Sequence, residues 1–174
     1  MVYVAPGLAN GIPYDAAVWQ AALDELARLS AADAAPWVAY GTSGTILQAA
    51  TTNPTLGAGT TWSAHYRRQS AVSTMVTVRM QFTIGSGFNA GSGSYRFLLP
   101  FQASANAIAG GCGSWYINDS GTQFRTGTVT INSLGIYCEL VFDGQTGGPI
   151  SSAGPGTAWA TGDNIRIQLD YEPQ

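Results

Sequence analysis

Ten residues from Met75 to Ile84, MVTVRMQFTI, alternate apolar and polar side chains almost without a break. Val76, Val78, Met80, Phe82 and Ile84 share one parity; Thr77, Arg79, Gln81 and Thr83 share the other. A period of two puts successive side chains on opposite faces of an extended backbone, so this stretch buries one face and wets the other. That commits it to antiparallel sheet, the kind that can keep one side in water. The closing segment repeats the pattern, with Ile165, Ile167, Leu169 and Tyr171 set against Asn164, Arg166, Gln168 and Asp170. LGIYCELVF does the same through Leu134, Ile136, Cys138, Leu140 and Phe142, while Tyr137 and Val141 make its other face partly covered.

Shorter strand candidates are WVAY, TILQA, TWSAHYRRQ, YRFLL, SWYI and QFRTGTVTI. The turn-rich stretches GSGFNAGSGS, NDSG and DGQTGGPISSAGPG punctuate them. In TGDN, Gly162 and Asp163 are natural turn residues, and the strand after them is expected to complete a sheet. Losing that strand would open a core face and a sheet edge. With 45% hydrophobic and only 10% charged residues, the chain can fill a core and solubilise its surface with hydroxyls and amides. No internal repeat is present. Residues 36–174 are therefore expected to form a mainly β, antiparallel β sandwich, jelly-roll-like.

Ahead of Pro36 the pattern changes. PYDAAVWQAALDELARLSAADAAP reads as one short α-helix, with Pro13 and Asp15 in its first turn and Pro36 beyond its end. Trp19, Ala22, Leu26 and Leu29 form an apolar stripe at 3-4-3 spacing, and Asp24 and Arg28 form an i,i+4 pair. An isolated helix of this length is marginal in water, so the stripe must pack on something. Its own β domain is one choice; copies of itself or a partner protein are the other. Residues 1–12 read as an extended arm, with Val4, Leu8 and Ile12 as its apolar contacts.

The formal net charge is −3, and every positive charge is arginine. Phosphate neutralisation needs the opposite balance, and Arg67-Arg68 is the lone basic cluster, so nucleic acid is excluded as a partner. No apolar run approaches the length that spans a membrane, and the first residues lack the marks of a signal peptide, so synthesis in a cytoplasm is expected. Cys112 and Cys138 fall in no CxxC pair, so they are either one disulfide or two thiols.

Catalytic signals are sparse. The single histidine, His65, cannot build a multi-histidine metal site, and no GxSxG elbow supplies a serine for it. The carboxylates are scattered through the helix and turns; Glu139 and Asp170 are the one pair that separate strands could bring together for glycoside hydrolysis. GSGFNAGSGS precedes the strand YRFLLPF, where a dinucleotide loop would have to open a helix. The NDS sequon at Asn118 is of no use to a chain made in a cytoplasm. Neither enzyme activity, metal nor cofactor is expected. Trp62, Tyr66, Trp115, Tyr116 and Trp159 could stack on sugars, although such residues serve cores and subunit interfaces as well.

Two sets of segments resemble a known family. GLANGIPYDAAVWQAALDELA is similar to the N-terminal segments of tailed-bacteriophage minor tail, fibre and decoration proteins. TLGAGTTWSAHYRRQSAVSTMVTVRMQFTIGSG, GSYRFLLPF and AWATGDNIRIQLDYE look like the C-terminal β domain of minor tail proteins from phages of actinobacteria. Such proteins often carry a collagen-like stalk or a long attachment region, and this chain has neither. The resemblance implies a virion structural protein: a capsid decoration protein, head fibre or minor tail protein. Residues 1–35 would anchor it to capsid or tail, and residues 36–174 would form the outward domain of a homo-trimer. A module binding host surface glycan is the alternative, and a glycan-degrading enzyme the least favoured reading.

Overall fold

A computed structural model describes residues 16–33, 35–41, 44–69, 74–106, 110–120, 123–132, 134–142, 149–153 and 158–174. Among these described residues one helix, α1 (Ala16–Asp33), precedes nine strands. They are β1 (Val38–Ala39), β2 (Leu47–Ala49), β3 (Thr61–Arg68), β4 (Val76–Thr83), β5 (Tyr95–Leu98), β6 (Gly110–Asp119), β7 (Gln123–Ile131), β8 (Tyr137–Phe142) and β9 (Asn164–Tyr171). The expected mainly β, antiparallel fold with one short helix is what forms. All nine strands belong to one sheet, in the order β1-β3-β4-β9-β6-β7-β8-β5-β2, and every pairing is antiparallel.

The two layers of the expected sandwich thus come from one sheet that curls over its own apolar face. Phe82 on β4 and Phe97 on β5 lie five strand positions apart, yet their rings meet edge to face at 5.5 Å. Tyr40, just past β1, donates its hydroxyl to the Leu98 carbonyl of β5 at 3.0 Å. Curling lets one polar-out ribbon enclose its own core, where a flat sheet would need a second layer. Only two- and three-residue strands, β1 and β2, stand at the edges, which limits the unpaired backbone offered to other chains.

The parity read from the sequence governs what fills the interior. Val76, Val78, Met80 and Phe82 are buried, as are Ile165, Ile167, Leu169 and Tyr171. Met80, Ile167, Trp115, Gly127 and Phe142 form one row across five strands. Gly127 is required there. A methyl group on it would lie 2.5 Å from the Trp115 ring and closer still to the Val141 carbonyl. That gap admits the indole, whose Nε1 donates to Val141 O at 2.9 Å.

The strand LGIYCELVF begins later than its alternation suggested. Leu134 and Ile136 are 46% and 44% exposed and sit in the turn before β8, with Leu134 at a φ of 56°. Ladder pairing to β7 starts only at Cys138, so the two earlier residues have no sheet neighbour to bury them. GSGFNAGSGS opens no helix; Asn89 and Ser92 bridge back to Thr55 and Thr52.

The helix matches its expected place, but its ion pair differs. Arg28 grips Glu25, with Nε to Oε2 at 2.7 Å and a second bond at 2.6 Å, while Asp24 accepts from Gln20 at 2.8 Å. Positions i and i+3 are neighbours too, and glutamate's extra methylene reaches the guanidinium fork where Asp24 does not. Pro13 and Asp15 lie outside the described residues. Among those described, no helix is long and apolar enough to cross a membrane.

Candidate functional site

The sheet has an outward face across β3, β4, β9, β6 and β7, and its register sets what meets there. Arg67 stands opposite Thr77, which stands opposite Asp170. In the next row, His65, Arg79, Gln168 and Ser114 face one another; beyond it come Gln81, Arg166 and Tyr116. All are polar-parity positions; those on β4 and β9 alternate with buried residues, whereas Arg67 lies between half-buried Tyr66 and exposed Arg68, and Thr77 is itself buried.

Two shallow grooves run over this face. One, of about 430 Å³, is lined by Arg79, Gln81, Ser114, Tyr116, Thr126 and Arg166, among others. The second, of about 490 Å³, is lined by Arg67, Gln69, Thr77, Arg79, Gln168 and Asp170. Arg79 and Gln168 line both, so the two grooves adjoin.

The charges are held in place. The guanidinium carbons of Arg67 and Arg79 lie 5.0 and 4.6 Å from the centre of the Trp37 ring, so a single indole fixes both through cation–π contact. Arg79 Nε donates to Gln168 Oε1 at 3.2 Å, and Arg166 Nε to Asn164 Oδ1 at 3.2 Å. Asp170 Oδ1 accepts from Thr77 Oγ1 at 2.6 Å and from Gln69 Nε2 at 3.0 Å. At the far end, Tyr116 and Phe124 stack at 5.6 Å with 20° between their planes, and Phe124 is 71% exposed.

Of the aromatics singled out from the sequence, Tyr116 and Trp115 border the first groove, and only Tyr116 has the outward parity. Trp115 is buried at 2% and hydrogen-bonded inside the core, so it cannot serve as a sugar platform; its parity on β6 is that of Ile117. Trp62 is half-buried against the core. Tyr66 meets Tyr40 and Phe101 edge to face at 6.0 and 5.0 Å. Trp159 stacks on Tyr95 at 5.7 Å, and its Nε1 donates to Ser151 O at 3.1 Å. Trp37, Phe124 and the arginine stripe were missed. Their signal was parity: Arg67, Arg79 and Arg166 each occupy a polar position of an alternating strand, but only the register places the three side by side.

The pair Arg67-Arg68 is not one patch. Successive strand residues face opposite ways, and Arg68 lies over the Phe101 ring at 5.8 Å while Arg67 lies over Trp37. Glu139 and Asp170 do not converge either. They sit on β8 and β9, three strand spacings or about 14 Å apart, beyond the ~5–9.5 Å of a glycosidase pair. Glu139 is bound to Arg96 at 3.2 Å.

Of the helix stripe, Trp19 and Leu26 are 54% and 62% exposed, and Ala22 is exposed as well. Leu23, at 55%, widens that face, while Gln20, Asp24 and Arg28 occupy the opposite side; Val18, 64% exposed, and Glu25 are seven residues apart and lie together along its flank. Leu29 is on the helix, but its side chain, like Val4, Leu8 and Ile12, lies outside the described residues.

Cys112 and Cys138 are both free thiols. Burial pushes the Cys112 thiol up to about 11 and raises that of the fully buried Cys138 further. Burial likewise raises the phenols of Tyr40, Tyr95 and Tyr171. In each case the fold favours the protonated form. This stability is whole below the unfolded values, 9.0 for a thiol and 10.0 for a phenol, and is lost as pH rises from there toward the folded values. Urea midpoints measured from pH 7 upward are expected to hold until about pH 9 and then fall. Neither thiol should react with a disulfide reagent at neutral pH until the chain is unfolded.

No protein-family model, no curated protein and no solved structure matches this chain.

Proposed function

We propose that this chain is a structural protein of a virion, an oligomeric decoration or short fibre protein. Residues 1–35 attach it to capsid or tail, and the β domain faces outward. The observation that carries this reading is the helix. Its polar side is occupied by its own hydrogen bonds, its other side exposes Leu23 and Leu26, and among the described residues none of the helix belongs to the β core. A helix of this kind gains most of its stability from packing, so the exposed face is an attachment surface. The resemblance of the flanking segments to minor tail and decoration proteins supplies the kind of surface it meets.

Substituting Leu23→Asp together with Leu26→Asp is expected to abolish particle attachment and reduce the trimer to a monomer. The thermal midpoint of the β domain should move by less than about 2 °C, as expected for exposed positions. Light scattering of the purified chain reads the oligomer. Purification of phage particles grown with a tagged chain reads attachment. A tagged wild-type chain absent from such particles overturns the proposal, as does a double variant that attaches normally. Deleting residues 1–12 is expected to weaken attachment in the same assay and leave the β domain folded.

A further inference from the structure

Arginine placement on this acidic chain is uneven. Arg28 is paired with Glu25 and Arg96 with Glu139. Arg67, Arg79 and Arg166 form no ion pair among the described residues, and all three line the adjoining grooves. Register arranges them obliquely. Arg79 lies two residues beyond the partner of Arg67, and Arg166 two residues beyond the partner of Arg79. Such diagonal neighbours are about 7–8 Å apart, so the charges form a stripe with regular steps. Arg166 then stands opposite Tyr116, where the stacked aromatic pair begins.

We infer that this outward face binds an acidic polysaccharide, with sugar carboxylates on the Arg67–Arg79–Arg166 stripe and an apolar sugar face against Tyr116 and Phe124. Four features select that ligand. Arg67 Nε is buried and has no hydrogen-bond partner, so a donor is already desolvated and waiting for an acceptor. Trp37 pins two guanidinium groups before any ligand arrives, which lowers the ordering cost of forked carboxylate recognition. Gln81, Gln168, Ser114 and Thr126 add amides and hydroxyls of the kind that pair with sugar hydroxyls. The adjoining grooves are open and shallow, which suits an extended chain better than an enclosed small molecule. A nucleic acid fits less well: one stacking platform cannot serve successive bases. Binding here would stand whether or not the chain is carried on a virion.

Titration calorimetry of the full chain tests this with polygalacturonate, its methyl ester and an oligothymidylate as probes. Polygalacturonate is expected to bind, and more weakly as salt is raised. Arg79→Gln and Arg166→Gln should each lower affinity about tenfold, the usual worth of a charge-assisted contact. Arg28→Gln, remote on the helix, should change nothing. An unchanged thermal midpoint in Arg166→Gln, where the side chain is exposed, separates lost binding from lost fold. Absence of polygalacturonate binding overturns the inference. So does equal binding of the methyl ester, tighter binding of oligothymidylate, or full affinity in the Arg79→Gln/Arg166→Gln double variant.

Discussion

A chain ended at Thr161 will not fold. The segment it loses, β9, is the last strand in sequence but the fourth of nine in the sheet, hydrogen-bonded to β4 on one side and β6 on the other. Eight residue pairs join it to β4 and six to β6. Ile165, Ile167, Leu169 and Tyr171 are at most 4% exposed. At about 1.5–3 kcal/mol for each large buried side chain, their burial contributes about 6–12 kcal/mol, comparable to the whole stability of a typical domain. Without β9, the hairpin of β3 and β4 has no backbone ladder to the β6–β7–β8 meander, only side-chain contacts across the interior such as Phe82 on Phe97. The truncated chain is expected to lose near-ultraviolet circular dichroism and cooperative urea unfolding together. Ile167→Pro, which removes a ladder donor from a central strand, should do the same in the full-length protein. A cooperative transition in either variant would show that the sheet closes by another route.

The second large effect is expected at Asp163, in the turn that leads into β9. Its side chain is fully buried. Oδ1 accepts from the Ser120 backbone N–H and Oδ2 from that of Ala160, both at 2.8 Å. One carboxylate therefore closes its own turn and ties it to the turn between β6 and β7. Gly162 beside it holds a φ of 99°, a conformation that side chains other than glycine resist. Charge-assisted bonds are worth about 1.5–3 kcal/mol each, and water reaching the exposed residues Ser120 and Ala160 returns part of the loss. Asp163→Ala is expected to cost about 2–4 kcal/mol, read as a lower urea midpoint at unchanged slope. Asp163→Asn keeps one acceptor but sets an amide NH2 against the other N–H, so about half that loss should remain. A midpoint shift in Asp163→Ala worth less than about 0.5 kcal/mol would refute the stapling role.

Much of the fold could be read without coordinates because it follows from local parity. QFRTGTVTI is β7 from its first residue to its last, and the alternation of MVTVRMQFTI gives the buried apolar set of β4, to which the structure adds Thr77 of the polar parity, 6% exposed. Parity failed where it needed a neighbour. Leu134 and Ile136 fit the alternation but have no strand beside them. Trp115 has the chemistry of a sugar platform, but its side of β6 is the inside. The candidate site was less legible than the fold. Its arginines come from three strands up to 99 positions apart in the chain, from Arg67 to Arg166, and no local signal links them.

By itself, the sequence determined most of the strands, the helix and its apolar side, and the inward apolar residues of the strongly alternating strands β4, β8 and β9. Those properties depend on side chains within a few positions of one another. The tertiary structure alone decided that the last strand lies at the centre, that one sheet curls to make both layers, and that Trp37 meets two arginines. Each of these depends on register between distant segments, where the choice of partner rests on how well whole faces pack together. No stretch of ten residues contains that information.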